Sequence, residues 1–237
     1  MHRPPRPPPG GQTAASLARP FLYTAHRPYQ PVRSEVCVEF IDIVKNRHSV
    51  RRYEDRKVPE ETIRQLLEMI RYSASAINLQ PWKIKVVSDP ATKEALFPAT
   101  FNQQQVLSCS HLLVLCADTD YPAIIDRYDK ALAASDAPAE MRSAIVGFAR
   151  DLAARMSPQE QLQWSREQVH IALGNALNGA YALGLGACPM TAFDPAEYSR
   201  ILSLPATVVP TVLVSVGYPA EEPPAAKLRY PLDEILI

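Results

Sequence analysis

Arg47-His48-Ser49-Val50-Arg51-Arg52-Tyr53 is the stretch on which the reading of this chain turns. It follows a run, Phe40-Ile41-Ile43-Val44, whose apolar spacing is helical and which leads into Asn46-Arg47. A guanidinium and a hydroxyl just past a helix suit a phosphate, because a guanidinium offers paired donors in a fixed fork. Lys227-Leu228-Arg229 supplies two more cations near the other end. Between them lie Ser73-Ala74-Ser75-Ala76-Ile77-Asn78-Leu79-Gln80-Pro81-Trp82 and Cys188-Pro189-Met190-Thr191-Ala192-Phe193-Asp194. Each segment alone could be ordinary surface or core, whereas all four in this order are hard to reconcile with chance.

Outward from these segments the texture is that of alternating helices and short strands. Pro59-Glu60-Glu61 opens a helix with an apolar face of Ile63, Leu66, Leu67 and Ile70, since proline and acids in a first turn suit the helix dipole and the unpaired amides. Trp82 to Val87 and His111 to Ala117 are expected as strands, the second buried on both faces because Leu112 to Leu115 is wholly apolar. Helices are expected around 122 to 134 and 138 to 155. Ser157-Pro158-Gln159-Glu160 reads as a capping box opening a long helix that ends near Gly184 to Gly186. Its second half, Ile171 to Leu185, is apolar nearly all round and carries Ala172, Ala176 and Ala180, so it is expected to be buried and tightly packed. The β-branched run Val208 to Val216 is expected as a last core strand.

Composition bounds the function. The chain has 237 residues, 47% hydrophobic and 21% charged, enough for one globular domain with a substantial core. Lys plus Arg and Asp plus Glu are 25 each, so no net field draws it to nucleic acid or an anionic membrane. Cys37, Cys109, Cys116 and Cys188 are widely spaced, with no C-x-x-C pair and no histidine cluster. No metal site is expected, and a reducing cytoplasm is the expected setting. No apolar run approaches the roughly 18 residues of a membrane span. Met1 to Ser34 holds eight of the 23 prolines, five arginines and no acid. Residues 1–35 are therefore expected to be a disordered Pro/Arg-rich extension, and 36–237 the folded domain.

In their order the four segments resemble the FMN-dependent nitroreductase family, which includes oxygen-insensitive NAD(P)H nitroreductases and dihydropteridine reductase-like proteins, over roughly residues 38 to 237. The resemblance implies an α+β, nitroreductase-like fold: a central, mostly antiparallel sheet flanked by helices, in an interlocked homodimer with FMN at the interface. It also implies an FMN-dependent NAD(P)H oxidoreductase that reduces nitroaromatics, quinones or similar electron-poor acceptors in two ping-pong hydride transfers. NADH or NADPH would be the donor. Alternatives are a specialised enone or pteridine reductase and a non-enzymatic FMN-binding protein.

Carried over by that resemblance, Arg47, Ser49, Lys227 and Arg229 converge on the flavin phosphate, with His48 between the first two. Arg51 serves the N1/O2 edge of the ring, where a cation stabilises negative charge. Asn102 and Gln105, expected on a helix from Phe101 to Leu107, face the pyrimidine side, with Gln105 a neutral donor where relatives often place a lysine. Pro189, Met190, Thr191 and Ala192 lie behind the ring. Relatives carry an acid and a glycine where this chain has Thr191 and Ala192, and alanine would be strained if that glycine needed positive φ. Ala74, Ser75, Ala76 and Asn78 reach the ring from the partner subunit, and Gln168 also lies near it. Ile77 would face the substrate.

Taken without the family, Met190 and Phe193 are core residues, and His48, His111 and His170 are packing or surface histidines without evident partners. Phe148, the one phenylalanine in the expected substrate lid from Tyr121 to Ser157, could cap the flavin on its substrate side, but the core is its expected place. No side chain is expected to act as catalytic acid or base, since the cofactor carries the hydride. With eight glycines and neither G-x-G-x-x-G nor G-x-x-x-x-G-K-[ST], the chain offers no Rossmann site and no P-loop, so a nicotinamide must meet the flavin directly.

Overall fold

Leu112, Val114 and Cys116 face one way and Leu113, Leu115 and Ala117 the other, all essentially solvent-free, so the strand they form must be covered on both sides. The computed structural model describes residues 39–223 and 227–237 of the chain. The expectation for residues 1–35 lies outside them.

That strand, β2 (His111–Asp118), is internal to a four-stranded antiparallel sheet in the order β1-β2-β4-β3, with β1 Trp82–Val87, β3 Gly186–Met190 and β4 Val208–Gly217. A register shift between Leu115 and Cys116 marks a bulge against β4. The helices in chain order are α1 Phe40–Asn46, α2 Glu60–Arg71, α3 Pro90–Leu96, α4 Gln105–Ser108, α5 Tyr121–Ala133, α6 Ala139–Arg155, α7 Pro158–Ala182 and α8 Pro195–Ile201. The fold is α+β, as expected.

One face of the sheet is covered by α2 and α7 through Ile63, Leu66, Ile70, Val169, Ala172 and Ala176. The small residues of α7 let the two helices meet closely, and a Cβ on Gly179 would stand 2.8 Å from Met69 Sδ. The other face is covered by α3, α4 and α8 through Leu96, Val106, Tyr198 and Leu202. A third cluster joins α5 and α6 to Leu79 through Tyr121, Ile124 and Val146.

The Ser157 capping box is formed in full, with Glu160 accepting the Ser157 amide at 2.7 Å. Two expectations are corrected. The second half of α7 is not buried all round, since Ile171 is 47% exposed and Asn175 is exposed. The helix expected from Phe101 begins only at Gln105, because Phe101 and Asn102 have positive φ (54° and 61°) and turn the chain. Among the described residues no helix is long and apolar enough to cross a membrane.

Candidate functional site

The first group of expected site residues gathers where α1 ends. Arg47 donates its amide to Ile43 O at 2.9 Å, and the chain then runs extended beside β3. Ser49 bridges Ala187, and the Val50 amide donates to Ala187 O at 3.1 Å. Gly186 makes this approach possible, since a Cβ there would lie 2.7 Å from Val50 Cγ2. Lys227 Nζ donates to Val44 O at 2.6 Å, which brings the C-terminal segment onto the same corner.

Arg47, Lys227 and Arg229 feel one another's charge. Burial, then Arg229, holds the Arg47 guanidinium below its ordinary value. Burial, then Arg47 and Arg229, lowers the Lys227 ammonium. None of the three forms an ion pair among the described residues. The Cys188 thiol beside them is pushed up by burial and drawn back by Arg51, the Ser49 hydroxyl and Arg47. The Arg51 amide donates to Glu221 Oε1 at 2.7 Å, while its guanidinium has no hydrogen-bond or ion-pair partner among the described residues. Both ring nitrogens of His48 are shielded from solvent without a hydrogen-bond partner there, so its imidazole packs rather than pairs.

The second group sits at the far end of β3. Three strand steps separate Ala187 from Met190, about 10 Å. There Gln103 Nε2 donates to Ala192 O at 2.8 Å, and Gln105 Nε2 donates to Gln103 Oε1 at 3.0 Å and faces Met190 Sδ at 3.3 Å. Gln105 thus has both amide hydrogens committed and is not the free donor expected. Asn102 is exposed beside this group. Thr191 and Ala192 are exposed and neither has positive φ, so the alanine is unstrained. Met190 and Phe193 are core residues, Phe193 resting edge-on against Tyr198 at 5.0 Å.

The third group is the turn before β1. Ile77, Asn78 and Gln80 all have positive φ (45°, 57° and 49°), a costly conformation for side chains with a Cβ, most of all a branched one. The surroundings hold it: Gln168 Oε1 accepts the Ala76 amide at 2.8 Å, Ser75 Oγ the Gln80 amide at 3.0 Å, and Asn175 Nδ2 donates to Ser73 Oγ at 2.9 Å. Gln168 therefore positions the turn of its own chain. Ala74, Ala76 and Asn78 are exposed, and Ile77 is half-buried.

The first two groups share one edge of the sheet, that of β3, whereas the turn leads into β1 on the opposite edge. Three strand spacings separate the edges, about 14 Å. One chain does not bring the turn together with the rest.

Phe148 is 57% exposed on α6, so the core alternative for it is wrong, its neighbours Val146 and Ala149 filling the buried face instead. His111 has partners after all: Ser110 Oγ lies 3.0 Å from Nδ1 and Glu60 Oε1 3.4 Å from Nε2. His170 is a surface residue bonded to Arg166 O at 2.8 Å. Sequence reasoning missed Gln103, although the Gln103-Gln104-Gln105 run was a signal, and Glu221, for which there was none.

Residues 44–218 match the Nitroreductase family. A relative named NADH dehydrogenase, from Thermus thermophilus, is 38% identical over 191 residues, covering 81% of this chain and 91% of that protein. The major NAD(P)H-flavin oxidoreductase of Aliivibrio fischeri is 30% identical over 171 residues, 68% of this chain and 78% of its own. Among solved structures, one described as a nitroreductase in complex with FMN, from Exiguobacterium sibiricum, superposes with a TM-score of 0.78 over 86% of this chain and 99% of that one. At 24% identity this last likeness concerns the fold.

Proposed function

The chain belongs to the nitroreductase family, and from that premise we propose that it is an FMN-dependent NAD(P)H oxidoreductase acting on nitroaromatics, quinones or similar electron-poor acceptors. The observation that carries the reading is the group of Arg47, Lys227 and Arg229 beside Ser49, with no acid paired to it among the described residues. Crowding like charges together costs stability, and a phosphate with nearly two negative charges offsets that cost. About 10 Å along β3, the exposed backbone of Thr191 and Ala192 and the amides of Asn102 and Gln105 offer a planar ring its polar partners. The names of the relatives, one bound to FMN and others acting with NADH or NAD(P)H and flavin, agree with such a ligand.

Bound FMN would supply the two-electron redox chemistry between NADH or NADPH and the acceptor. The protein's part is positioning. Arg47, Ser49, Lys227 and Arg229 hold the phosphate, with His48 packed among them. Arg51 sets positive charge at one ring edge, and Pro189, Met190, Thr191 and Ala192 back the ring. No side chain need gain or lose a proton.

The remaining wall comes from a second copy of the chain, which presents Ala74, Ser75, Ala76 and Asn78 on a turn braced by Gln168. Ile77 and Phe148 would flank the acceptor. The homodimer is supported by the division of the groups between opposite sheet edges and by the apolar surface that α1, α2 and α7 leave uncovered, Phe40, Ile41, Met69 and Ile171 among it.

The visible absorbance of the purified protein tests this reading, followed anaerobically as NADH or NADPH is added and then a quinone or nitroaromatic. A yellow protein that bleaches with the nucleotide and recovers with the acceptor is expected. A protein that neither carries nor takes up FMN would refute it.

A further inference from the structure

We propose that a cavity of about 410 Å3, between α3 and the segments 53–57 and 107–110, is a second ligand site that takes a small organic carboxylate on the ammonium of Lys93. None of the residues assigned to the flavin lines it, so the inference stands apart from the FMN reading.

The starting point is a buried cation without a counter-charge. Among the described residues, Lys93 and Asp118 are the only buried side chains of the lysine, arginine, aspartate and glutamate types, at 6% and 3% exposure. Such groups are almost never buried unless paired. Asp118 has its partners, Lys83 Nζ at 3.7 Å and Arg127 Nη1 at 3.9 Å. Lys93 has no ion-pair partner among the described residues. Its Nζ donates to Cys109 O at 2.6 Å and to Leu107 O at 3.0 Å, which uses two of its three hydrogens. Two carbonyl dipoles lower the cost of a desolvated cation, whereas an anion cancels its charge. The neighbouring thiol of Cys109 feels this charge: burial pushes it up to about 11, and Lys93 is the first group that draws it back.

The walls decide what the anion carries. Glu54, Asp55 and Glu94 also line the cavity, but all three are exposed, so water screens them, and Glu54 is held by Arg56 at 3.1 Å. The buried charge is not screened in this way, and the inner end of the cavity is positive. A lysine offers a point charge rather than a fork, which suits a single carboxylate better than a phosphate needing several donors. Tyr53, Pro90 and Leu107 give part of the wall an apolar lining, and the volume leaves room for a hydrocarbon body beside the carboxylate.

The test melts the full chain, as purified, in rising concentrations of hexanoate, of the uncharged hexanamide and of chloride at matched ionic strength, with visible absorbance recorded in parallel. The melting temperature should climb with hexanoate, hold with hexanamide and chloride, and leave the visible spectrum unmoved. Lys93→Met should bind hexanoate at least about tenfold more weakly, the loss of a charge-assisted hydrogen bond. Glu94→Gln and Asp55→Asn, both at exposed positions, remove like charge and should each tighten hexanoate by about twofold. These two carry the test if Lys93→Met does not fold, and unchanged affinity in both would overturn the proposal. A wild-type protein indifferent to hexanoate, a response shared by hexanamide, or one that survives Lys93→Met would also overturn it. So would a response accompanied by a shift in flavin absorbance, which would put the carboxylate at the flavin instead.

Discussion

Removing Arg229 should weaken FMN binding and slightly stabilise the flavin-free protein, a pair of opposite signs that an ordinary surface arginine would not give. Its one hydrogen bond in the structure is local, Nη1 to Leu228 O at 2.6 Å, so Arg229→Ala deletes little packing. Its charge lowers the Arg47 guanidinium and the Lys227 ammonium, and taking it away relieves both. Because Arg229 is exposed, solvent screens that repulsion, and the relief amounts to about 0.2–1 kcal/mol. With phosphate bound, the same change deletes a charge-assisted hydrogen bond worth about 1.5–3 kcal/mol. That corresponds to a loss of roughly 10- to 150-fold in affinity. The assay is fluorescence titration of flavin-free wild-type and Arg229→Ala protein with FMN and with riboflavin, which lacks the phosphate, alongside the melting temperature of each without flavin. The penalty should appear with FMN and vanish with riboflavin, while the melting temperature holds or rises. An equal loss for both flavins, or a melting temperature several degrees lower, would refute the phosphate assignment.

Three further outcomes are expected. At Ile77, whose φ is 45°, Ile77→Gly should be more stable than Ile77→Ala by about 1 kcal/mol in urea denaturation, reversing the usual advantage of alanine, because only glycine is at ease there. Burial holds His111 below its ordinary value of 6.5 despite Glu60, so the unfolded chain takes up a proton that the folded one resists. Stability from this residue is complete above about pH 6.5 and is lost as pH falls through the lower, folded value, and His111→Gln should flatten urea midpoints measured across that range. Gly186→Ala should cost about 1–3 kcal/mol through its clash with Val50, and adding Val50→Ala should recover part of the loss in the same melt.

The parts of this fold legible in the sequence are those set by local periodicity. The apolar run of β2, the capping box at Ser157 and the acidic first turn of α2 each fix an element without help from distant residues. The third strand is not legible, because Gly186 to Met190 contains a glycine and a proline and becomes a strand only through β4 and Ser49. The turn at Phe101 reads as helix, since neither Phe101 nor Asn102 announces a left-handed conformation. In the site, residue type locates the cations, but the polarity of Gln105 depends on Gln103 and Ala192, the latter 87 positions further along the chain than Gln105, and no spacing rule reaches that far.

Backbone strain marks both halves of the site. Of the six non-glycine residues with positive φ among the described residues, Ile77, Asn78 and Gln80 lie in the turn before β1, and Phe101 and Asn102 lie beside the end of β3; among them only Ser203 falls elsewhere. Such residues cost about 1–2 kcal/mol each and persist where the surroundings enforce them. Two strained loops at opposite edges of one sheet have no use for each other within one chain, but two copies related by a two-fold axis can bring the loop of one to the β3 edge of the other. A complementation experiment separates the two arrangements. One copy carries Arg47→Ala with Arg229→Ala and cannot hold the phosphate; the other carries Ala76→Trp, an exposed position where an indole would block the approach of a ring. Each alone should bind no flavin. Unfolded together in equal amounts and refolded, half of the dimers would be mixed, and each mixed dimer would hold one intact site of two, so about one quarter of the wild-type flavin content should return. If the whole site lay within one chain, every chain in the mixture would remain defective and no flavin would bind.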